Sequence, residues 1–334
     1  MSHILHLGHQ PTDISGIAGH ITTAAAAFDS TLDINGLTFS GNWQSPSALS
    51  FAISFPEPTG DLWLGFRYRT PSGDAHVIRN TEAGLIEVFD AQSVRVAAIR
   101  PLSTTNHYHA AADGDTLQQG TSSFMASSNA AVWVDIRIAV GAGITVDFYV
   151  DGVLHSSATA PNTGGKGKPA LVRFLNRGLH DSASIRTWHY AHFALLDGVP
   201  TIGRRFVRRR PDAIGSFNQM QGSVAALTDG DFGSRVASSA AGQRMSFSLT
   251  GPTGPAAVSA IAGLHIKQIA QGGTEGPDAT AGFLRMGSVN HDAAAVSVPS
   301  LAPGPVWSSW ALNPGDGSPW SALTLPTEVG IVSA

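Results

Sequence analysis

Asn106-His107-Tyr108-His109 is the most polar aromatic cluster in the chain, and it runs on into Asp113-Gly114-Asp115. His and Tyr rings can lie on the apolar face of a sugar while Asn and Asp side chains hold its hydroxyls, so Asn106, His107, Tyr108 and His109 are candidates for carbohydrate contact. Asp113 and Asp115 could hold a calcium ion through carboxylate oxygens, or could simply close a turn by capping their own backbone. His107 and His109 would share one face of an extended segment, as transition-metal ligands require, but no third ligand lies near them in sequence. His180-Asp181 and the segment 162–168 are further candidates for glycan contact, and Lys166 and Lys168 favour an acidic polysaccharide.

The residues that cleave glycans are harder to find. A retaining glucanase needs two carboxylates about 5 Å apart. The chain has five glutamates, Glu57, Glu82, Glu87, Glu275 and Glu328, in no Glu-x-Asp-x-Glu arrangement. Glu82 and Glu87 would fall on opposite faces of a strand. There is no Gly-x-Ser-x-Gly elbow, phosphate loop or dinucleotide fingerprint. The absence of cysteine removes disulfides, thiol catalysis and thiolate metal sites together. The expectation is a binder without catalytic residues, with a glycan-cleaving enzyme and a purely architectural protein as the alternative readings. A net charge of −4 gives no field for nucleic acid, and no apolar run approaches the roughly 18 residues of a membrane span, so neither partner is expected. His3, His6 and His9 have helical spacing, but Gly8, Pro11 and Gly16 argue against a helix there. Residues 1–20 read as an attachment segment ordered by a partner chain. That start lacks a secretory leader, which predicts a product held in the cytosol until released.

Charged residues make up only 13% of the chain while Gly reaches 37 and Pro 19, a composition for short strands and tight turns. The positioning elements are clearest in Trp133–Pro161. Trp133–Ile138 and Thr145–Val150 alternate apolar and polar residues around the Gly141-Ala142-Gly143 break, the pattern of a β-hairpin. Asp151-Gly152 supplies two positive-φ positions for a type I′ turn, so Val153-Leu154-His155 is expected to return as a third strand. Leu49–Phe55, Leu62–Tyr68, His76–Arg79, Leu85–Asp90, Val94–Arg100, Leu171–Phe174 and Ile185–Leu196 continue the rhythm. The polar segment 110–129 reads as a long excursion over the sandwich.

The Trp-led strand followed by a strand ending in Val-Asp-Gly, with SIRTWHYAHFALLDG closing, resembles concanavalin A-like and laminin-G-like sandwiches over residues 28–198. The resemblance implies an all-β, jelly-roll lectin sandwich, placed at residues 21–202. At 203–210, GRRFVRRR puts five arginines in seven residues, the sharpest composition change in the chain, and a domain boundary is placed there. The rest contains, in order, Asp229-Gly230-Asp231, Ser238-Ser239, Asn313-Pro314, Trp320 and Gly330. This order resembles the C-terminal β-domain of tailed-phage virion proteins, and implies a second, smaller β-sandwich at 203–334. A head spike, fibre or tail-tip protein of a phage or gene-transfer-agent particle would follow, with other virion proteins and bacterial surface or capsular polysaccharide as partners and a homo-oligomeric state. Trp307, Trp310 and Trp320 carry apolar area that must go inward or against another subunit.

Overall fold

Asp151 and Gly152 adopt φ of 49° and 81°, the two left-handed positions that a type I′ turn demands, and Val150 pairs directly with Val153 across them. Asp151 fixes the turn further: its amide donates to the Trp133 carbonyl, and its carboxylate accepts from the Trp133 amide at 2.9 Å. The structure, a computed structural model, describes residues 4–8, 14–18, 20–29, 34–41, 50–69, 85–101, 107–121, 124–125, 131–175, 186–204, 206, 209–227, 234–249, 261–273, 276–300 and 302–334. Among them there is no α-helix, and no helix is long and apolar enough to cross a membrane. The chain is all-β and divides into two units, His3–Phe206 and Val207–Ala334, so the division falls inside the arginine-rich segment.

The first unit contains strands β1 (Ile4–Gly8), β2 (Ser15–Ala18), β3 (His20–Asp29), β4 (Ile34–Gly41), β5 (Ser50–Ser54), β6 (Leu62–Arg69), β7 (Ile86–Asp90) and β8 (Arg95–Pro101). It continues with β9 (His107–Asp113), β10 (Leu117–Gln119), β11 (Phe124–Met125), β12 (Ala131–Val140), β13 (Gly143–Val150), β14 (Val153–Pro161), β15 (Pro169–Leu175) and β16 (Arg186–Asp197). They form two antiparallel eight-stranded sheets. The first runs β14-β13-β12-β6-β16-β4-β3, with β1 also on β16, and the second runs β10-β9-β8-β7-β15-β5-β2, with β11 on β9.

Alternation decides what lies between the sheets. Leu62, Leu64, Phe66 and Tyr68 point inward from β6, Val134, Ile136 and Ile138 from β12, and Phe51, Ile53, Val88, Val172 and Phe174 from the opposite sheet, all in one buried cluster. Phe174 meets Phe66 edge-on at 5.3 Å and Phe51 meets Tyr190 at 5.5 Å, which locks the two faces together. Each such ring contributes roughly 1.5–3 kcal/mol of burial. After β16, residues 198–204 pass back over the outer face of the first sheet. Thr201 is 2% exposed and would clash at 2.8 Å with any Cβ on Gly65, so Gly65 admits the crossing. Phe206 then packs on His192, 5.1 Å away.

Within residues 1–20, β1 pairs with Phe193–Leu196 of β16 in the first sheet and β2 pairs with β5 in the second. One expectation is corrected in part: the segment 110–129, read as a polar excursion, contains the end of β9 and the strands β10 and β11. Ala110, Ala111 and Ala112 are each 0% exposed, since alanine fits where β9 is covered on both sides.

The second unit contains β17 (Pro211–Asn218), β18 (Arg244–Leu249), β19 (Leu264–Ala270), β20 (Ala279–Met286), β21 (Val289–Asp292), β22 (Val296–Ser297), β23 (Gly304–Trp310) and β24 (Glu328–Ser333). A sheet β17-β18-β24-β20-β21, with β22 on β20, is covered by the β19-β23 ribbon. The buried Ser308 hydroxyl of the ribbon accepts the Gly282 amide at 2.7 Å. Trp310 and Trp320 go inward with Leu284, and Trp320 donates its indole N–H to the Trp310 carbonyl at 3.0 Å. Asn313-Pro314 opens a turn, with the Asn313 side chain accepting from the Gly315 amide. Asp229-Gly230-Asp231 lies outside the described residues.

Candidate functional site

Asn106, His180 and Asp181 lie outside the described residues. His107 begins β9 and is followed by two rings that cannot reach a glycan, because Tyr108 is 4% exposed and His109 0%. Burial pushes the Tyr108 hydroxyl up to about 12, and burial with the Arg100 charge holds the His109 imidazole down. The loop expected to present these rings is a strand interior, which corrects that assignment.

Asp113 and Asp115 do come together with the 162–168 loop, in a different role. Asp113 accepts from Arg95 Nε at 2.7 Å and Lys166 Nζ at 3.2 Å. Asp115 accepts from the Thr163 hydroxyl at 2.7 Å and from the Thr163 and Gly164 amides, and these bonds, the hydroxyl's first, hold its carboxyl below the usual range. Asp115 therefore caps the neighbouring 162–168 loop, and Asp113 is held in ion pairs with Arg95 and Lys166. A calcium ion would have to displace Arg95 and Lys166 from Asp113, and among the described residues no three His, Cys, Asp or Glu side chains group as metal ligands. The two lysines also turn inward. Lys166 Nζ donates to the carbonyls of Arg95 and Asp113, and Lys168 Nζ to those of Pro58 and Thr59, so they clasp loops where a hand for acidic sugars was expected. Asn162 completes the rim by bridging the Gly141 and Lys166 carbonyls.

Sequence reasoning missed a polar row on the outer face of the first sheet, in which Arg137, Tyr149 and Ser157 reach solvent while Trp63 and Asp147 are each 8% exposed and support them from below. Because Leu62, Leu64, Ile136, Ile138, Val146 and Phe148 face the core, Trp63, Arg137, Asp147 and Tyr149 face out. The pairings Trp63↔Arg137, Arg137↔Asp147 and Asp147↔Ser157 set one continuous row across four strands. Arg137 binds Asp61 through Nε at 2.8 Å and Asp147 through Nη1 at 3.0 Å, while Ser157 donates to Asp147 at 2.6 Å. The half-exposed Tyr149 ring lies 5.9 Å from that of Trp63, and burial and then the Asp147 charge raise its pKa. Thr145 and Thr159 extend the row with a hydroxyl pair at 3.1 Å. The available signal was the polar half of the alternation already read for its apolar half: Asp135, Arg137, Asp147 and Tyr149 all sit at outward positions of the central meander.

Chemically, the row offers an aromatic edge and fixed hydrogen-bonding groups. Asp61 and Asp147 share one guanidinium, as Glu87 and Asp113 share Arg95 in the second sheet. Among the described residues, the carboxyls with shifted acidity, Asp115, Asp197, Asp316 and Glu328, are all shifted down. A proton donor to a glycosidic oxygen needs the opposite shift.

No family model and no curated protein matches the sequence. Among solved structures, the binding domain of botulinum neurotoxin serotype C1 aligns over 87% of this chain and 73% of its own, at 11% identity and a TM-score of 0.44. An endo-β-1,4-glucuronan lyase from the fungus Trichoderma reesei aligns over 59% of this chain and 96% of its own, at 9% identity and a TM-score of 0.43. The cellulose-induced protein Cip1 aligns over 57% and 90%, at 12% identity and a TM-score of 0.39. The likeness is confined to β-sandwich architecture.

Proposed function

We propose that the first unit binds carbohydrate without cleaving it, through the outer row Trp63–Arg137–Asp147–Ser157 and the Tyr149 ring. The observation that carries this reading is the row itself. An aromatic edge stands beside a guanidinium, a carboxylate and hydroxyls that are already oriented by one another, so a sugar meets them with little loss of side-chain freedom. Support for binding without cleavage comes from the carboxylates, which are bridged by arginine or shifted toward the charged form. The finer setting is the surface of a phage-like particle, as a spike or fibre meeting bacterial polysaccharide. Its support is the ordered likeness of residues 203–334 to virion domains, and many weak sites on one particle would adhere by avidity.

The test is a glycan array with the full chain and with Tyr149→Ala and Arg137→Ala. Each variant is expected to lose on the order of tenfold in binding, the share of one aromatic or charge-assisted contact. Binding indifferent to both substitutions would remove the row from the site. Shortening of the bound polymer would replace adhesion with an enzyme.

A further inference from the structure

We infer that the opposite face of the first unit carries a second, separate site, an anion anchor built on Arg173 that takes the carboxylate of an acidic saccharide. Val172 and Phe174 point into the core from β15, as Ile86 and Val88 do from β7, so Arg173, Glu87 and Phe89 stand on the outer face of the second sheet. The Arg173 guanidinium lies over the Phe89 ring, 4.8 Å from its centroid, which fixes its plane. Its nearest carboxylate oxygen, Glu87 Oε2, is 4.0 Å away, outside hydrogen-bond distance. Among the described residues the Arg173 side chain makes no hydrogen bond, and it is 42% exposed. A planar donor fork, held by a ring and unfilled, matches the geometry of a carboxylate.

The surroundings keep Arg173 from being neutralised by its own neighbours. Glu87 is taken by Arg95 at 3.0 Å, and Asp113 by Arg95 at 2.7 Å and Lys166 at 3.2 Å. Arg95 and Lys166 thus take up Glu87 and Asp113, and Lys166 is also drawn to Asp115. On either side of Arg173 and Glu87 the row consists of Ala52 and Ala98, 9% and 1% exposed, so an approaching carboxylate meets the row at Arg173.

The inference extends the proposed carbohydrate function but uses none of the residues of the Tyr149 row, so the two fail separately. The probe is a homopolymer of uronic acid, compared with the same polymer after reduction of its carboxyl groups. Affinities are measured by isothermal titration for the full chain, Arg173→Gln, Arg173→Lys and Tyr149→Ala, with circular dichroism to confirm that each variant is folded. The wild-type chain is expected to bind the uronate polymer with an affinity that falls as salt rises. Arg173→Gln is expected to lose at least about tenfold, Arg173→Lys to recover only part of it, and the reduced polymer to bind no better than the Gln variant. Equal binding of uronate polymer by wild type and Arg173→Gln overturns the site, as does failure of the wild type to bind that polymer. Neutral-glycan binding lost in Tyr149→Ala and kept in Arg173→Gln would, in those cases, leave the first reading standing.

Discussion

Gly330→Ala is the most exacting test of the packing in the second unit. Gly330 sits in β24, between Ser246 of β18 and Phe283 of β20, with neighbours hydrogen-bonded on both edges. A Cβ built there falls onto the Phe283 ring and only 2.6 Å from the Met245 carbonyl oxygen. That is about 0.8 Å short of ordinary contact, on a steep repulsive wall. Neither neighbour can give way easily: Phe283 is 0% exposed and edge-packed on Phe217 at 5.9 Å, and Met245 is 0% exposed in the next strand. Overpacking in a tight core typically costs about 1–3 kcal/mol, and this site, pinned by two ladders, belongs at the upper end. For a unit of this size, about 3 kcal/mol corresponds to a fall in melting temperature on the order of 10 °C. Differential scanning calorimetry reads it, and Phe283→Leu supplies the control. If the clash is with the ring, the smaller side chain relieves it, and the double-mutant cycle shows a favourable coupling of about 1 kcal/mol or more. A Gly330→Ala variant that melts with the wild type, or a cycle that is additive, would refute the packing argument.

Other outcomes follow from individual contacts. Gly152→Ala places a Cβ at φ 81°, and is expected to destabilise the first unit by about 1–2 kcal/mol in urea titrations. Ser246 is 0% exposed, donates to Glu328 at 2.6 Å and accepts the Phe217 amide at 2.9 Å, so Ser246→Ala removes the acceptor of a part-buried amide and is expected to cost about 1–2 kcal/mol. Burial raises the Glu328 carboxyl, but bonds from Ser216 and Ser246 outweigh it and lower the pKa below the ordinary 4.5. Its contribution is therefore complete above pH 4.5 and is lost as pH falls through the folded value, a loss that Glu328→Gln should abolish when denaturation midpoints are compared across pH. His265 titrates oppositely in charge but in the same direction of stability. Burial lowers it from 6.5 to about 4, so the unfolded chain takes up the proton first and the second unit weakens as pH falls between those values. His265→Gln should flatten that interval.

The turn at Asp151-Gly152 and the strand around Phe51 and Ile53 were legible because local chemistry decides them: two positive-φ positions in one case, strict alternation in the other. The Ala110–Ala112 strand was not. Alanine carries no strand preference, and its place is set by β8 and β10 on either side, which no local window contains. Tyr108 and His109 misled for a related reason. Polar aromatic residues read as surface when their neighbours are small, yet those small neighbours are what let both sides of β9 be covered. The Trp63–Arg137–Asp147–Ser157 row needed register between strands as distant as β6 and β14, and Lys166 and Lys168 looked available only until the loops they bind were known.

One edge of β16 is shared: Arg186–Tyr190 pair with β4, Phe193–Leu196 pair with β1, and the change of partner falls at the bulge where His192 takes φ 56°. During synthesis β1 and the β3–β4 hairpin emerge first, yet the strand that joins them to β6 is the last of its unit to leave the ribosome. Their open backbone edges must wait through nearly the whole translation of the unit, the interval in which such edges recruit foreign strands. Assembly of the first sheet is thus a late, concerted closure whose rate is set by long-range pairing, and slowed translation ahead of residue 186 would prolong the exposure.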